Sequence, residues 1–178
     1  CWRAWPRALL LIAGDRCMAE ISAEEAGGQN VVAFLDMLAW SEGTDHPRQQ
    51  SNDRGYDVIV GGELFTSYRD HPRRVVTLPR LGIKSTAAGR YQLLARFWPH
   101  YRDLLELDDF GPYSQDLVAI QLIREQRAIG DVKAGRVVPA VEKCRNIWAS
   151  LPGAGYGQHE HKLEALLAEY ERAGGVLV

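Results

Sequence analysis

An apolar helix that ends in a carboxylate constrains the fold of this chain most. Seven of the eight residues 33–40 are apolar, and a helix that is apolar on nearly all sides is normally buried. Leu35, Leu38 and Glu42 follow at i, i+3 and i+7, so they share one helical face. Gly43 then offers a helix stop, because glycine adopts a positive φ without steric cost. The pattern predicts a buried central helix whose last turn carries Glu42.

The predicted surroundings of Glu42 suggest acid chemistry. Burial and the negative end of the helix dipole both disfavour an ionised carboxylate, so both raise the pKa of Glu42. A carboxyl group that stays protonated near neutral pH is what a general acid needs. Glu42 is therefore a candidate catalytic acid. The alternative interpretation is a glutamate at a frayed helix end, facing water.

Length and charge narrow the class of protein. The 178 residues suit one domain, and 46% apolar with 25% charged residues is typical of a globular protein. A formal net charge of −2 argues against a general nucleic-acid binder. Cys1, Cys17 and Cys144 have neither zinc-site nor disulfide-scaffold spacing, and Cys144 is expected to be a buried thiol. No apolar stretch approaches the length of a membrane span.

The first 17 residues differ from the rest. Their apolar run, residues 8–13, is short for a signal-peptide core, and no A-x-A cleavage site follows it. The composition turns polar from Met18 onward. We expect translation to start at Met18, with residues 1–17 an upstream extension outside the fold and residues 18–178 a single domain. A lipoprotein that begins at Cys1 is the alternative, although no polar tether follows that cysteine.

A small antiparallel sheet is predicted in the first half of the chain. Residues 56–60 and 63–66 are β-prone and flank Gly61-Gly62, a two-residue turn typical of a hairpin. Residues 75–78 predict a third short strand.

Helical patterns fill the second half of the chain. Ser85 or Thr86 is suited to cap a helix that runs to Trp98, and Pro99 is expected to break or kink it. Further helices are predicted over 101–107, from Pro112 through Ile123, over 137–148 and over 159–173. Strands that are segregated from helices indicate an α+β fold, here mainly helical with a small antiparallel β-hairpin or sheet lobe.

The glycine-rich loop 150–158 is a candidate binding segment. Tyr156 and Gln158 are suited to stack on a sugar and to hydrogen-bond it, and a plain interhelical connection is the alternative. No Gly-Lys-Ser/Thr follows, so the loop does not bind phosphate in the P-loop manner. Tyr56 and Tyr68 are expected at the exposed rim of a cleft.

Two other motifs carry little chemistry. His159-Glu160-His161 with Glu164 has the composition of a metal site, but on a helix the two histidines point apart, so no metal is expected. The serines lack the G-x-S-x-G elbow of serine hydrolases. Trp98 and Trp148 lie in apolar helical stripes and are expected in the core.

Five long segments carry a family resemblance. They are AFLDMLAWSEGTD (33–45), GYDVIVGGELF (55–65), DHPR (70–73), KSTAAGRYQLL (84–94) and NIWASLPGAGYGQ (146–158). On these segments the chain closely resembles the lambda-type phage endolysins, which are lysozyme-like lytic transglycosylases of peptidoglycan. The likeness covers nearly everything from Met18 to Gly175. Ala88 and His159 depart from it, standing where a glycine and an aromatic residue are expected, and residues 128–136 diverge.

The resemblance implies a lysozyme-like fold with a cleft between two lobes. It implies that Glu42, in the SEG segment, is catalytic, and that residues 68–77 and 150–158 form two lips over the cleft. The expected substrate-binding residues are Tyr56, Thr86, Gly89, Tyr91, Gln92, Tyr156 and Gln158.

Gly89 and Gln92 form a G-x-x-Q segment, which lines the cleft in lytic transglycosylases of other families. A glycine at a helix start lets a sugar approach the backbone closely. A glutamine offers both a donor and an acceptor to an acetamido group. An ordinary first helical turn is the alternative.

The leading hypothesis is an endolysin that cleaves the β-1,4 bond between N-acetylmuramic acid and N-acetylglucosamine and leaves a 1,6-anhydromuramic end. The alternatives are a hydrolytic muramidase and a non-catalytic cell-wall-binding protein. The E-x8-D-x5-T spacing of the other common phage lysozymes is absent, because Ser51 and Asp57 stand at its Asp and Thr positions. Asp45, Asp53 and Asp57 nevertheless remain near Glu42 in the chain as candidate second carboxylates.

The resemblance also implies partners and location. The substrate would be the glycan strands of peptidoglycan, with no metal or organic cofactor. The protein is expected to be a monomer that stays in the host cytoplasm until a holin releases it to the periplasm.

Overall fold

The computed structural model describes residues 19–155, 157 and 159–178. The predicted Met18 start, Tyr156 and Gln158 lie outside the described residues. The elements are α1 (Ala23–Ala26), α2 (Gln29–Ser41), β1 (Val76–Leu78), β2 (Ile83–Ser85), β3 (Ala87–Ala88), β4 (Leu93–Leu94), α3 (Trp98–Leu104), α4 (Pro112–Glu125), α5 (Ile129–Lys133), α6 (Val137–Cys144) and α7 (Leu163–Arg172). Within this part of the chain, no helix is long and apolar enough to cross a membrane.

Helix α2 is the buried centre that the sequence predicts. Ten of its 13 residues are buried, and it packs against α1, α4, α5 and α7. The helix ends at Ser41, where Gly43 adopts a φ of 74° and its N–H bonds to the carbonyl of Trp40. The apolar face is therefore covered all round, and only the C-terminal end with Glu42 is left to face a cleft.

The predicted sheet lobe is present in reduced form. The Gly61-Gly62 turn closes on a single bridge between Val58 and Leu64 rather than on two full strands. The predicted strand at 75–78 is confirmed as β1, and it pairs antiparallel with β2, with Val76 opposite Ser85. Pairs this short need support from the neighbouring core.

The helix predicted from Ser85 or Thr86 to Trp98 is wrong. The segment instead forms the antiparallel pair β3–β4, and α3 begins only at Trp98 with Pro99 in its first turn. Gly89 and Gln92 in the connecting turn have φ values of 80° and 53°, which a right-handed helix cannot include. A bridge from Ile59 to Ala88 joins this pair to the Gly61-Gly62 turn.

The later helices follow the sequence with shifted ends. Helix α4 begins at Pro112 as predicted, and α5 lies in the divergent stretch. Helix α6 ends at Cys144 instead of continuing to 148, and α7 begins at Leu163 instead of His159. Cys144, Trp98 and Trp148 are buried as predicted, and burial raises the pKa of the Cys144 thiol to about 12.

Two apolar clusters give the α+β fold its two parts. One surrounds α2 and includes residues from α4, α5, α6 and α7. The other gathers Ile59, Leu93, Trp98 and Phe110 around the β3–β4 pair. Helix α4 contributes to both, so the cleft lies between parts that share one helix.

A buried arginine joins the two parts. Arg90, in the turn between β3 and β4, is fully buried and pairs with Asp36 of α2 at 2.8 Å and with Asp45 at 2.7 Å. Its backbone N–H donates to Gln115 of α4 at 2.8 Å. Its guanidinium also lies over the ring of Tyr56, 5.1 Å from the centroid. The buried charge is tolerated because two carboxylates pair with its terminal nitrogens, although among the described residues Nε of Arg90 and Oδ2 of Asp36 have no hydrogen-bond partner.

Candidate active site

Glu42 opens onto a cleft of about 470 Å³. The β3–β4 turn, α3, α4 and residues 146–149 form its other walls, and Tyr91, Gln92 and Phe97 are among its lining residues. A second depression of about 640 Å³ lies near Arg69, Arg74 and Arg102. It is more open and holds none of the predicted catalytic or substrate-binding residues, so the Glu42 cleft is the candidate site. Residues of the predicted lip 68–77, among them Arg69 and Arg74, line this second depression and not the Glu42 cleft.

The carboxyl group of Glu42 is withdrawn from bulk water, although the residue keeps part of its surface open. Burial raises its pKa from the usual 4.5 to about 7, and hydrogen bonds from Ser150 act in the opposite direction. The predicted upward shift is confirmed, and desolvation is its main cause. The alternative of a glutamate facing water is wrong.

Two serine hydroxyls continue from the carboxyl group into the protein. The Ser150 hydroxyl donates to Oε1 of Glu42 at 2.6 Å. It also lies 3.0 Å from the Ser41 hydroxyl, which donates to the carbonyl of Leu38 at 2.9 Å. Ser41 and Ser150 are only 4% and 8% exposed, so bulk water does not compete freely for these contacts.

His161 holds the two serine segments together. Its ring Nε2 lies 3.1 Å from the carbonyl of Ser41, and its backbone N–H donates to the carbonyl of Ser150 at 2.9 Å. The ring also packs on Trp40, with centroids 4.5 Å apart. The start of the glycine-rich loop is therefore fixed to the end of α2, where Glu42 sits.

The glycine-rich loop is organised by its own carboxylate. Glu160 accepts hydrogen bonds from the N–H groups of Gly153 and Gly155, both at 2.8 Å. His159 and His161 precede α7 instead of lying on it, and their ring centroids are 4.9 Å apart. The helix expected for these histidines is wrong, and among the described residues no group of three or more side chains could hold a metal.

The Gly89–Gln92 turn lines the cleft differently from the sequence expectation. Gly89 is not at a helix start: a Cβ there would lie 2.3 Å from Oε1 of Gln115, so the glycine makes room for that side chain. Gln92 does line the cleft. Its amide nitrogen donates to the carbonyl of Gly89 at 2.9 Å, which leaves Oε1 as the atom suited to a ligand.

Two of the predicted substrate-binding tyrosines have buried hydroxyls. Tyr56 is fully buried instead of lying on a rim, and its hydroxyl donates to Asp116 at 2.8 Å. The Tyr91 hydroxyl donates to the same carboxylate at 2.6 Å, so only its ring faces the cleft. The expectation for Tyr56 is wrong because its phenol completes a buried polar network, whereas Tyr91 remains a candidate through its ring.

The structure also differs from the expectations for Thr86 as a substrate-binding residue and for Tyr68 as a rim residue. The Thr86 hydroxyl accepts a hydrogen bond from the backbone N–H of Ala95 at 3.2 Å, so it closes the β3–β4 pair rather than facing a ligand. Tyr68 is half-buried, donates to Asp53 at 2.7 Å and packs against Phe65, away from the lining of the cleft.

Sequence reasoning missed three cleft features. Phe97 is 44% exposed at the rim, and the guanidinium of Arg96 lies 4.7 Å from its ring centroid. Glu125, at the end of α4, is the other carboxylate among the described lining residues. Ser150 reaches Glu42 across 108 positions. Only the aromatic pair Phe97-Trp98 offered a signal, because the side chains of adjacent residues at a helix start point in different directions.

The three aspartates near Glu42 in sequence are engaged elsewhere. Asp45 pairs with Arg90, and Asp53 accepts from Tyr68. Asp57 is buried and accepts from the Ser51 hydroxyl and the Asn52 N–H. None of the three lines the Glu42 cleft.

The described fold is that of a lysozyme. A solved structure of bacteriophage lambda lysozyme complexed with a chitohexasaccharide superposes with a TM-score of 0.81 at 56% identity, covering 90% of this chain and 100% of that one. A second lambda lysozyme structure gives a TM-score of 0.78, also at 56% identity, covering 85% and 97% of the two chains. The predicted lysozyme-like α+β fold is confirmed.

Sequence relatives define the family. The endolysin of Escherichia phage lambda is 61% identical over 146 residues, covering 82% of this chain and 91% of that one. The endolysin of Escherichia phage P2 is 59% identical over 158 residues, covering 83% and 94%. The family model named Endolysin matches residues 32–177. The chain belongs to the endolysin family, and it is a lysozyme-type enzyme.

Proposed function

We propose that this endolysin cleaves the β-1,4 bond between N-acetylmuramic acid and N-acetylglucosamine as a lytic transglycosylase. The observation that carries the proposal is a cleft with two lining carboxyl groups, of which Glu42 has a pKa raised to about 7. The solved relative with a bound chitohexasaccharide supports a glycan substrate.

In the proposed reaction Glu42 gives its proton to the glycosidic oxygen while the bond from that oxygen to C1 breaks. The C6 hydroxyl of the muramic ring attacks C1 and releases its proton to the Glu42 carboxylate. No water enters the product, and Glu42 ends protonated. Because the C6 hydroxyl is tethered to the reacting ring, its effective concentration far exceeds that of an untethered nucleophile.

A hydrolase would need a second carboxylate to act as nucleophile or to activate water. The sequence-adjacent aspartates are engaged outside the cleft. Glu125 is the rival group, because it lines the same cleft. However, its two oxygens accept from the Tyr101 hydroxyl at 2.8 Å and from the Gln121 amide at 3.0 Å. These bonds support a structural role for Glu125.

Mass spectrometry of digested peptidoglycan separates the two reactions. The proposal expects 1,6-anhydromuramic ends, which are lighter by one water than reducing ends. Glu125→Gln is expected to keep both the product and most of the activity. Reducing muramic ends as the main product, lost in Glu125→Gln, would establish the hydrolytic muramidase. No cleavage by the pure protein would favour a non-catalytic wall binder.

We further propose that Gln92 and the ring of Tyr91 contact the sugars, together with Tyr156 and Gln158 of the glycine-rich loop. Gln92 is the sharpest test, because its Oε1 suits the N–H of an acetamido group. Gln92→Ala is expected to raise KM for glycan strands more than it changes kcat. An unchanged KM would remove Gln92 from the binding site.

The remaining proposals concern the whole protein. We propose a monomer without a cofactor that reaches the periplasm through a holin. Production in host cells with and without a holin tests the route, because lysis should require the holin. Size-exclusion chromatography tests the monomer. We also propose that residues 18–178 form the domain, which the packing of Glu20 and Ile21 against Tyr56 and Asp116 supports. A chain that starts at Met18 should keep the melting temperature and activity.

A further inference from the structure

Three oxygen–oxygen contacts form an unbroken row behind the proposed acid. They join the Leu38 carbonyl to Ser41 at 2.9 Å, Ser41 to Ser150 at 3.0 Å, and Ser150 to Oε1 of Glu42 at 2.6 Å. All three distances are those of good hydrogen bonds. Both serines are buried, so the hydrogens in the row come mainly from the row itself.

Counting those hydrogens distinguishes the two states of Glu42. Each serine hydroxyl has one hydrogen to donate, and the Leu38 carbonyl only accepts. With Glu42 ionised, two hydrogens serve three contacts, and one contact lacks a hydrogen. With Glu42 protonated, the third hydrogen fills the row in one direction, from Glu42 to Ser150, from Ser150 to Ser41 and from Ser41 to Leu38.

We propose that Ser150, supported by Ser41, is a positioning residue for the proton of Glu42, because its hydroxyl can accept from the protonated carboxyl and donate to the ionised one. The inference rests on the proposed role of Glu42 as the acid. Only O–H bonds rotate between the two states. The proton given to the glycosidic oxygen leaves Glu42, and neither serine gains or loses one.

The two serines are well placed for this role because His161 fixes both. Its ring lies on the Ser41 carbonyl and its N–H donates to the Ser150 carbonyl. A hydroxyl that must serve two states of a neighbour needs a fixed backbone and a free rotor. The Ser150 hydrogen bonds also lower the pKa of Glu42 against burial, which keeps that pKa close to neutral pH, where a general acid can both give up a proton and take one back.

Other titratable groups lie on the elements around Glu42. His46 packs on Trp40, and His159 packs on His161. Asp45 is paired with Arg90, and Glu125 faces the cleft from α4. The causes of the Glu42 shift are burial and Ser150, so a substitution at Ser150 changes the direct partner of the carboxyl group and leaves these charges in place.

The test is a titration of the Glu42 side-chain carboxyl carbon by carbon-13 NMR in the free full-length enzyme. Ser150→Ala should raise the pKa of Glu42 by about one pH unit, because the hydrogen bond to the ionised carboxylate is stronger than the bonds of the neutral row, so the ionised form loses more. Ser150→Thr keeps a hydroxyl and should restore the wild-type value. Ser41→Ala should give a smaller upward shift. Ser114→Ala is the matched control, because Ser114 is equally buried and donates to Asp109 at 3.0 Å.

The pH profile of lysis distinguishes this role from a purely structural one, because a loss of stability alone would not shift the profile. In Ser150→Ala the alkaline limb should move to higher pH, and the plateau should fall at least tenfold as the carboxyl loses its fixed orientation. A wild-type pKa in Ser150→Ala, with a normal melting temperature, overturns the inference. Full activity in Glu42→Gln would instead overturn the role of Glu42 as acid, whatever Ser150 does to the titration.

Discussion

At the scale of single residues, Glu42 is both the proposed reactive group and a weak point in stability. Its pKa is raised from 4.5 to about 7 in the folded protein, so the folded state holds this proton more tightly than the unfolded state. Glu42 therefore does not lower the free energy of unfolding below pH 4.5, but it lowers it increasingly as the pH rises to about 7. The burial that raises the pKa of Glu42 therefore also lowers the free energy of unfolding at neutral pH.

Glu42→Gln is expected to lose activity and gain stability. Glutamine keeps the shape but cannot give up a proton, and general acid catalysis contributes about 10²–10⁴-fold in rate. The variant also avoids the buried charge, so its melting temperature should exceed that of the wild type at pH 8 and match it near pH 4. Turbidity clearing of cell walls and thermal melts at the two pH values measure both effects. Near wild-type clearing would show that Glu42 is not the acid.

At the scale of elements, the apolar periodicity of the sequence predicted the features that depend on burial. Helix α2 and helix α4 follow from apolar spacing, and the raised pKa of Glu42 follows from the position of the carboxylate on α2. The β3–β4 pair does not follow, because its turn needs a positive φ at Gln92, a conformation that residue type seldom reveals. The hydroxyls of Tyr56 and Tyr91 were also beyond sequence reasoning. Both donate to the buried carboxylate of Asp116, a contact that the sequence does not reveal.

The contact between Ser150 and Glu42 was beyond sequence reasoning. It joins residues 108 positions apart through a loop whose path no local pattern specifies. Likewise, the engagement of Asp45 by Arg90 is visible only in three dimensions. A single sequence therefore located the proposed acid on its helix, whereas the groups that surround Glu42 required the fold.

Gly89→Ala tests whether the β3–β4 turn depends on glycine. The backbone φ of 80° and the 2.3 Å approach of Gln115 to an added Cβ both oppose a side chain. We expect a loss of about 2–3 kcal/mol in the free energy of unfolding. Gly82→Ala is the control, because its φ is 64° but nothing lies within 4 Å, so about 1 kcal/mol should be lost. Equal losses in urea melts would contradict the steric part of the argument.

Glu160→Ala tests the glycine-rich loop as an element. The substitution removes the acceptor of the Gly153 and Gly155 N–H groups. These groups are exposed to water, so the free energy of unfolding should change by less than about 1 kcal/mol while activity falls. Leu38→Ala, in the buried α2, should instead act mainly on stability, with a loss of about 2–5 kcal/mol in the free energy of unfolding. Urea melts and lysis rates compare the two. Full activity in Glu160→Ala would indicate a plain connection.

At the scale of the whole molecule, one ion network joins parts that have separate apolar clusters. Arg90 reaches α2 through Asp36, the loop after α2 through Asp45 and the carbonyl of Arg54, and α4 through Gln115. Burial raises the pKa of Asp36 to about 6 even beside this guanidinium. Through Arg90, the network therefore connects the two sides of the cleft directly.

Arg90→Ala should destabilise the molecule as a whole. Removing one member leaves buried carboxylates without a partner, which costs about 3–5 kcal/mol. Arg74→Ala is the control, because Arg74 pairs with Glu63 on the surface, where such a pair contributes at most about 1 kcal/mol. Urea denaturation at pH 7 measures both. A loss at Arg90 no larger than that at Arg74 would show that the two parts hold together without the network.

The position of Ser150 has a thermodynamic consequence. This residue is the hydrogen-bond partner of Glu42 and also the first residue of the glycine-rich loop. Because His161 holds the backbone of Ser150, a glycan that contacts the start of the loop acts on Glu42 through the Ser150 hydroxyl, and the proton affinity of Glu42 then changes on binding. Reciprocity between two binding equilibria then requires the affinity for glycan to depend on proton concentration by the same factor. Calorimetry of glycan binding in buffers of different ionisation enthalpy would measure this exchange as protons taken up or released per glycan bound.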